Sequence, residues 1–405
     1  MAVSPLEALK LIVNSVKGLN KEVLPIENSL GRVIAEDIYA PFSLPRFDNS
    51  AMDGYAVIYG DDSEELCVIE KIFAGEDKDI TLSKGQCVKI MTGARIPKNC
   101  TAVVPQEDVE HLSNGNIKIP QIRKMQNVRF IGEDIKEGDK LLCVGEEINF
   151  AKITLLVSMG ITHIEAYQKP KIVVFASGDE LKQYYEKIES HQIYNSNTPS
   201  LVSRCKELGC DVTFTKTSSD SLEALKNIIK NSLRADLIIT TGGVSVGEAD
   251  FTKGAFGELG FETIFDGIII KPGKPTVFGK VGNTYVLNLP GNPLAASLIF
   301  ELFGKIVVEA LKGSIKKYHG CILTKLATAI KNKPSRVTLI PGFFDGESFA
   351  PASKTSPGMV SVLSGCNSLV ALDSDVADLK ENDVVKVLPI NWNFLTNEYK
   401  DFLTR

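Results

Sequence analysis

The sequence predicts a multidomain α/β plus β protein, on three observations. Its 405 residues exceed what one compact hydrophobic core usually contains. Between residues 169 and 312, strand-like and helix-like segments alternate, which is typical of a largely parallel sheet covered by helices. Residues 41–136 and 313–405 instead contain short strand-like runs separated by glycine, asparagine and proline, as small β domains do.

The first 40 residues are predicted to be helical. Ser4-Pro5-Leu6-Glu7 has the pattern of a capping box with proline at the first helical position, and Leu30–Asp37 is predicted as a second short helix. Residues 137–168 resume with a strand, KLLCV, and a helix, NFAKITLLVSMG. We therefore expect residues 1–40 and 137–168 to form one region, with 41–136 as an inserted β domain and 313–405 as a terminal β barrel or sandwich.

The α/β region, residues 169–312, is predicted to contain five strands and four helices. The strands are expected at 171–176, 211–216, 237–240, 263–270 and 285–289. The helices are expected at 198–209, at 220–233, after Asp250 and from Pro293.

Composition excludes several functional classes. The net charge of −5 argues against a nucleic-acid scaffold. None of the four histidines is paired at metal-ligand spacing, and the eight cysteines form no C-x-x-C motif, so we expect buried thiols in a reducing compartment. The sequence shows no signal peptide and no apolar run near the roughly 20 residues that span a bilayer. We expect a cytoplasmic protein that binds neither membranes nor nucleic acids.

Unusual loops follow the strands of the α/β region. Ligands of open α/β sheets bind beyond the carboxyl ends of the strands. Here those ends carry glycines that let backbone N–H groups approach an anion, and lysines that suit phosphate or another oxyanion. The loops are Ser177-Gly178-Asp179-Glu180, Gly242-Gly243, Lys271-Pro272-Gly273-Lys274-Pro275 and Pro290-Gly291-Asn292-Pro293, with Asn195-Ser196-Asn197 as a fifth.

Two carboxylates, Glu248 and Asp250, follow the glycine pair. Carboxylates beside a phosphate site repel the phosphate unless a cation lies between them, and Mg²⁺ is the usual choice. Taken singly, each feature also has a structural explanation: a tight turn, a charge that complements a helix N-terminus, a solvated lysine turn, or a helix start at Pro293. Their predicted convergence on one sheet edge favours a metal-bridged phosphate site.

The inserted domain carries a dense mixture of polar and apolar side chains in Leu44-Pro-Arg-Phe-Asp-Asn-Ser-Ala-Met-Asp-Gly-Tyr-Ala56. The structural alternative is a turn whose polar groups satisfy one another, with Asp53-Gly54 at its corner. The segments 91–94, MTGA, and 129–135, RFIGEDI, allow the same two interpretations.

Together these segments resemble one family. PRFDNSAMDGYA, MTGARIP, GEDI, SGDEL, NSN, TTGGVSVGEADF, KPGKP and LPGNP occur in the order found in the MoeA-type molybdopterin molybdenumtransferases, to which the gephyrin E domain is related. The TGGVS-type loop is shared with MogA-type adenylyltransferases and CinA-type proteins, whereas the FDNSAMDGYA insertion and the C-terminal β domain are not. The resemblance spans nearly the whole chain.

The resemblance implies a fold and an activity. The fold is a central three-layer, MogA-like molybdopterin-binding domain with the inserted β domain, the helical N-terminal region and a C-terminal β-barrel-like domain. The activity is insertion of molybdate into adenylylated molybdopterin with release of AMP, supported by Mg²⁺ or another divalent cation. It also implies a homodimer with a composite active site, and MogA-type adenylyltransferases and other cofactor-biosynthesis proteins as partners.

The resemblance also implies roles for individual residues. Glu180, Asp220 and Asp250 match acidic positions near the pterin-nucleotide cleft, with Glu180 and Asp250 as metal ligands; Asp53 and Asp134 would join them from the second subunit. Lys271, Lys274 and Pro275 match the stretch that holds the oxyanion. The expected binding residues are Thr92, Arg129, Ser177, Gly178, Asn195, Gly242, Gly243, Ser245, Lys271, Lys274, Pro275, Pro290, Gly291, Asn292 and Arg336.

Two other functions are compatible with the same sequence. A pyrophosphatase acting on another nucleotide would use the α/β cleft without molybdate. A scaffold protein would need the fold but not Glu180, Asp250, Lys271 and Lys274, which are all present.

Overall fold

The computed structural model describes residues 2–215, 222–242, 251–392 and 403. Their hydrophobic side chains form separate cores in the N-terminal region, the inserted domain, the α/β domain and the C-terminal domain. The predicted multidomain α/β plus β architecture is confirmed.

The central sheet has six strands, and its first four are parallel. In spatial order they are Asp211–Phe214, Lys171–Ala176, Leu237–Thr241, Thr284–Leu289, Val277–Val281 and Glu262–Asp266. Ala176 is paired with Thr241, and Thr241 with Leu289. Three neighbouring strands therefore end level with one another, which brings the turns that follow them to one edge.

Helices cover both faces of this sheet, as the three-layer prediction requires. Because side chains alternate along a strand, Leu237 and Ile239 lie on one face and Ile238 lies on the other. The first face packs against Pro5–Ser15, Asn197–Glu207 and the helical run 293–311; the second packs against Leu222–Ser232 and Phe251–Glu258. The run 293–311 consists of Pro293–Ile299, a π-helical segment Phe300–Gly304 and Lys305–Leu311.

The N-terminal region is more extended than the sequence suggests. Its strands Lys21–Pro25 and His163–Tyr167 pair antiparallel, Ile38–Tyr39 pairs with Lys140–Leu142, and the helices are Pro5–Ser15, the short 3₁₀ turn Ile26–Asn28 and Phe150–Ser158. The predicted helix Leu30–Asp37 is wrong. Val33 forms a bridge with Glu147, and the fully buried Ile34 forms one with Ala166, so tertiary pairing overrides local helix propensity.

The inserted domain is built on a four-stranded sheet. Its order is Cys67–Ile72, Gln86–Ile90, Gly54–Val57, Ala102–Pro105. The short strands expected in residues 41–136 are therefore present, and Gly54–Val57 adds one in a segment that was predicted as a loop or turn. Two small ribbons complete it, Asn49–Ser50 with Val128–Arg129 and Glu110–His111 with Ile117–Lys118, together with the 3₁₀ turn Gln106–Asp108.

The C-terminal domain is a closed five-stranded barrel, the first of its two predicted forms. Around the barrel the strands are Val337–Phe344, Ser348–Pro351, Ile322–Leu326, Val384–Pro389 and Ser368–Leu372, which pairs back with Val337–Phe344. A short helix, Ser361–Ser364, precedes the strand Ser368–Leu372. Ile270–Lys271 from the α/β domain adds a parallel strand beside Val337–Phe344, so the barrel is attached to the α/β domain.

Two details of the α/β domain differ from the prediction. The expected strand 263–270 is two strands in different sheets, separated at Gly267, whose φ of +94° lies in the region that favours glycine. The strand Val277–Val281 was not predicted; it forms a hairpin with Thr284–Leu289 and reverses the direction of the sheet. Ile193–Tyr194, paired with Leu181–Lys182, also escaped prediction because each is only two residues long.

Within the described residues, no helix combines the length and the apolar character that crossing a membrane would require.

A partly buried ion pair of the α/β domain lies where that domain meets the barrel. Arg204 donates from Nε to Glu301 Oε1 at 2.7 Å and from Nη2 to Glu301 Oε2 at 3.0 Å, and Nη2 also donates to the Ile390 carbonyl at 2.8 Å. Burial lowers the pKa of Arg204, but the hydrogen bonds to Glu301 outweigh it, so the pKa is raised and the guanidinium stays charged. The bond to the Ile390 carbonyl connects the barrel to the helix Asn197–Glu207, and Glu301 orients the guanidinium that makes this bond.

Glu301→Ala is expected to lower the free energy of unfolding by about 2 kcal/mol, because the partly buried Arg204 loses two charged hydrogen bonds and keeps only the one to the exposed Glu207 at 2.8 Å. Chemical denaturation followed by circular dichroism measures this. The double variant Arg204→Met/Glu301→Leu should regain much of the loss. Asp378→Asn, which breaks the exposed pair with Lys331, is the matched control and should cause no measurable change. Equal losses in Glu301→Ala and the control would contradict a structural role for the partly buried pair.

Candidate active site

A cavity of about 610 Å³ opens at the carboxyl edge of the central sheet. All five predicted loops contribute to its wall, and the KPGKP loop does so through Pro275 alone. The lining residues are Ser177, Glu180, Leu181, Ile193, Tyr194, Asn195, Ser196, Asn197, Thr241, Gly242, Pro275, Pro290, Gly291, Asn292, Pro293, Gly358 and Val360. The predicted convergence of these loops is therefore confirmed.

Close backbone contact holds the strand-end turns together. Gly242 has φ +86°, and a Cβ there would lie 2.4 Å from the Ser177 carbonyl oxygen. A Cβ on Gly291 would lie 3.4 Å from the Gly242 Cα. Three turns thus meet at Gly242, where a side chain would force them apart.

The helix Asn197–Glu207 begins at the cavity. The buried Asn195 side chain accepts from the Thr198 N–H at 3.1 Å and donates to the Thr198 hydroxyl at 2.9 Å. Asn197 Nδ2 donates to the Gly291 carbonyl at 2.7 Å, which ties the helix start to the Pro290–Asn292 turn. The helix dipole contributes a favourable partial charge for an anion at this end.

Glu180 is the acidic side chain among the described residues that line the cavity. It is exposed, and both carboxylate oxygens lie 2.8 Å from where a Gly178 Cβ would be, so the carboxylate lies against the Gly178 backbone. Among the residues that the structure describes, no three His, Cys, Asp or Glu side chains form a group suited to a metal ion.

The predicted oxyanion residues lie beside the cavity. Pro275 lines it, whereas Lys271 and Lys274 are exposed on the same turn. Lys271 pairs with Thr338 of the barrel, and Arg336 lies two residues before Thr338 in sequence, half-buried. Lys271 and Arg336 therefore lie on neighbouring segments where the α/β domain meets the barrel, and neither they nor Lys274 line the cavity.

The four predicted residues of the inserted domain do not line this cavity. Asp53 Oδ1 accepts from the Thr92 N–H at 2.7 Å and from the Thr92 hydroxyl at 2.8 Å, and these bonds lower the pKa of Asp53, the backbone bond most. Arg129 lies on the ribbon beside Asn49, and the Asp134 N–H donates to the Leu44 carbonyl. Within the inserted domain, the segment 44–56 thus contacts both of the other predicted segments, 91–94 and 129–135.

Asp220, Gly243, Ser245 and Asp250 lie outside the described residues, as does Glu248. Their predicted roles as acid, anion-binding and metal-binding groups stay predictions.

The sequence reasoning missed two parts of the cavity wall. One is the pair Ile193 and Tyr194; an apolar residue and an aromatic one directly before Asn195 were the available signal. The other is Gly358 and Val360 from the barrel, brought in because the Leu294 N–H donates to the Pro357 carbonyl at 3.0 Å. No local pattern marks this second contact, which depends on how the domains pack.

Known protein families match three consecutive parts of the chain. Residues 3–160 match the MoeA N-terminal region (domain I and II), residues 173–311 a probable molybdopterin binding domain, and residues 324–390 the MoeA C-terminal region (domain IV).

Relatives that match this chain over nearly its whole length share one name. The molybdopterin molybdenumtransferase of Haemophilus influenzae is 35% identical over 380 residues, which cover 91% of this chain and 94% of the relative. That of Staphylococcus epidermidis RP62A is 31% identical and covers 98% of this chain and 97% of the relative. The chain belongs to the molybdopterin molybdenumtransferase family.

Solved structures agree with this family assignment. Two structures of the molybdopterin biosynthesis MoeA protein from Pyrococcus horikoshii superpose with TM-scores of 0.81 and 0.84, at 31% and 25% identity. They cover 97% and 96% of this chain and all of the archaeal chain. The family is one of transferases in molybdenum cofactor biosynthesis, and the predicted resemblance is confirmed.

Gly242→Ala tests whether close packing of the turns shapes the site of this family member. The added Cβ collides with the Ser177 carbonyl, so we expect a loss of about 2 kcal/mol in the free energy of unfolding and at least tenfold weaker AMP binding, measured by calorimetry.

Gly257→Ala is the control, because a Cβ at that exposed helix position meets nothing within 4 Å. It should stabilise the protein by up to about 1 kcal/mol and leave AMP binding unchanged. Wild-type AMP affinity in Gly242→Ala would show that the contact does not shape the site.

Proposed function

We propose that the protein inserts molybdate into adenylylated molybdopterin and releases AMP, a late step in molybdenum cofactor biosynthesis. The observation that carries the proposal is the cavity at the sheet edge, where Ser177, Gly242, Gly291 and the start of the helix Asn197–Glu207 surround one space. Backbone groups at such an edge suit the phosphates of a nucleotide. Membership of the transferase family supports the reaction class.

The cavity residues would have different roles according to their charge. The strand-end turns and the helix start bind the phosphoanhydride, and Glu180 with Asp250 would hold a divalent cation beside it. Glu180 fits this role because it lines the cavity and its exposed carboxylate offers the oxygen ligands that Mg²⁺ prefers. When bound, the cation neutralises charge on the phosphates as the anhydride opens.

Molybdate would bind on the side of Lys271, Lys274 and Arg336. Their positive charges concentrate the dianion near the dithiolene of the bound pterin. The two dithiolene sulfurs would then replace two oxygens of molybdate as ligands of molybdenum, and the two displaced oxides would leave as water with four protons, two from the dithiol and two from solvent. The cysteines need not take part, because none of the eight lines the cavity. Burial raises the pKa of the Cys210 thiol to about 12, but the expectation of buried thiols is wrong for Cys67, Cys143 and Cys321, which are exposed.

The deciding experiment measures AMP release from adenylylated molybdopterin in the presence of Mg²⁺, with and without molybdate. The proposal requires AMP release that is coupled to molybdenum incorporation and depends on molybdate. Equal AMP release without molybdate would instead identify a pyrophosphatase, and absence of both activities would favour a scaffold.

In Lys274→Ala, half-maximal insertion is expected to require about tenfold more molybdate, because one charge-assisted contact to the oxyanion is lost. AMP affinity should not change, since Lys274 does not line the cavity.

The matched control is Lys280→Ala, a lysine of the same domain that is paired with Glu262 at 3.0 Å. It should leave both quantities at wild-type values. An unchanged molybdate requirement in Lys274→Ala would remove this lysine from the oxyanion site.

We also propose a homodimer in which the inserted domain of one subunit completes the cavity of the other. Large apolar side chains of the N-terminal region are exposed: Val23 by 70%, Leu30 by 65%, Phe150 by 79% and Val157 by 54%. A second copy of the chain is the occupant that fits, because Asp53, Thr92, Arg129 and Asp134 lie away from the cavity of their own chain. The dimer would act in the cytoplasm, and a MogA-type adenylyltransferase would supply its substrate.

Complementation between inactive variants tests the composite site. Asp53→Ala and Glu180→Ala should each abolish insertion as homodimers. Mixing equal amounts under conditions that exchange subunits should restore about a quarter of wild-type activity, since half of the dimers then carry one intact site of two. Mixing Asp53→Ala with Asp134→Ala should restore nothing, because both changes lie in the same domain. No recovery in the first mixture, with subunit exchange verified, would place Asp53 and Glu180 in the same subunit's site or outside it.

A further inference from the structure

Tyr194 lies on the cavity wall with its ring uncovered. It lines the cavity beside Ile193, yet 44% of Tyr194 and 56% of Ile193 remain exposed. Across the described residues, the ring of Tyr194 contacts no other aromatic ring and its hydroxyl has no hydrogen-bond partner. By contrast, Tyr184 and Tyr185 pair edge to face at 5.2 Å between centroids.

The backbone of Tyr194 is nevertheless fixed. Tyr194 is paired with Lys182 in the short parallel ribbon. The Ile193 N–H donates to the Glu180 carbonyl at 2.9 Å, and the Asn195 N–H donates to the Lys182 carbonyl at 2.8 Å. The adjacent Asn195 side chain is buried and bonded to Thr198. A ligand that covers the ring therefore orders little backbone when it binds.

The cavity has chemically different sides. Ser177, Gly242 and Gly291 present backbone and a hydroxyl, which suit a phosphate. The large apolar side chains are Leu181, Ile193 and Tyr194 from the ribbon and Val360 from the barrel. A ligand that fits both sides carries phosphate at one end and a flat apolar body at the other.

We propose that Tyr194 stacks against a planar heteroaromatic ring of the substrate and sets its affinity. The inference rests on the proposed function, whose substrate contains two such rings, the adenine and the pterin. Aromatic side chains bind heteroaromatic rings through their faces, with little dependence on the ring's hydrogen-bonding groups. Tyr194 is thus a binding residue that supplies no group to the reaction.

The test compares Tyr194→Ala with Tyr194→Phe and Tyr185→Ala. Phenylalanine keeps the stacking face and loses only a hydroxyl with no described partner. Tyr185 is 63% exposed but does not line the cavity, so it controls for removing an exposed tyrosine from the same loop. Calorimetry measures the binding of AMP, ribose 5-phosphate and molybdopterin to each full-length variant, and thermal unfolding verifies the fold.

Tyr194→Ala is expected to weaken the binding of one ring-bearing ligand about tenfold, with Tyr194→Phe and Tyr185→Ala near wild type. Loss for AMP but not for ribose 5-phosphate would assign the adenine; loss for molybdopterin with AMP unchanged would assign the pterin. In the insertion assay the same variant should raise KM for adenylylated molybdopterin and leave kcat unchanged.

Two results would overturn the inference. One is wild-type affinity of Tyr194→Ala for both AMP and molybdopterin; the other is an equal loss for AMP and ribose 5-phosphate, which lacks the ring. Either result leaves the insertion activity of the wild-type protein untouched. Failure of the wild-type protein to incorporate molybdenum would instead contradict the proposed function, whatever the binding data show.

Discussion

The site depends on the level ends of three parallel strands. Because Ala176, Thr241 and Leu289 are in register, the turns that follow them reach the same height above the sheet. Gly242 lets two of these turns touch, with its missing Cβ 2.4 Å from the Ser177 carbonyl oxygen. The helix start at Asn197 is then bonded to the third turn through the Gly291 carbonyl. The proposed anion-binding wall therefore results from backbone packing, and side-chain chemistry is added to it.

The barrel completes the wall only while it stays attached to the α/β domain. The hydrogen bond from Arg204, which Glu301 orients, to the Ile390 carbonyl fixes one side of the junction, and the strand Ile270–Lys271 fixes another. This attachment brings Val360 to the cavity and places Arg336 near Lys271. The proposed anion-binding turns and the proposed molybdate side are therefore positioned relative to each other by the contacts between the α/β domain and the barrel.

Local signals predicted much of the fold and of the site. Alternating strands and helices, glycine-rich turns and the order of the motifs were sufficient for the three-layer domain and for the convergence of its loops. The helix expected at Leu30–Asp37 failed because Ile34 is buried by pairing with distant residues, which no local pattern encodes. Tyr194 was missed because strands of two residues are too short to show an alternating pattern of polar and apolar side chains. Val360 was missed because its position at the cavity depends on how the barrel packs against the α/β domain.

The central claim is that separate turns form one site in which molybdate binds beside a nucleotide phosphate. The most direct measurement is a crystal structure with AMP, Mg²⁺ and molybdate, with molybdenum located from its anomalous scattering. The account predicts the AMP phosphate against Ser177, Gly242 and Asn197, and a molybdenum peak on the side of Pro275 and Lys274. AMP bound elsewhere, or a molybdenum peak remote from Pro275 in a cavity that contains AMP, would contradict it.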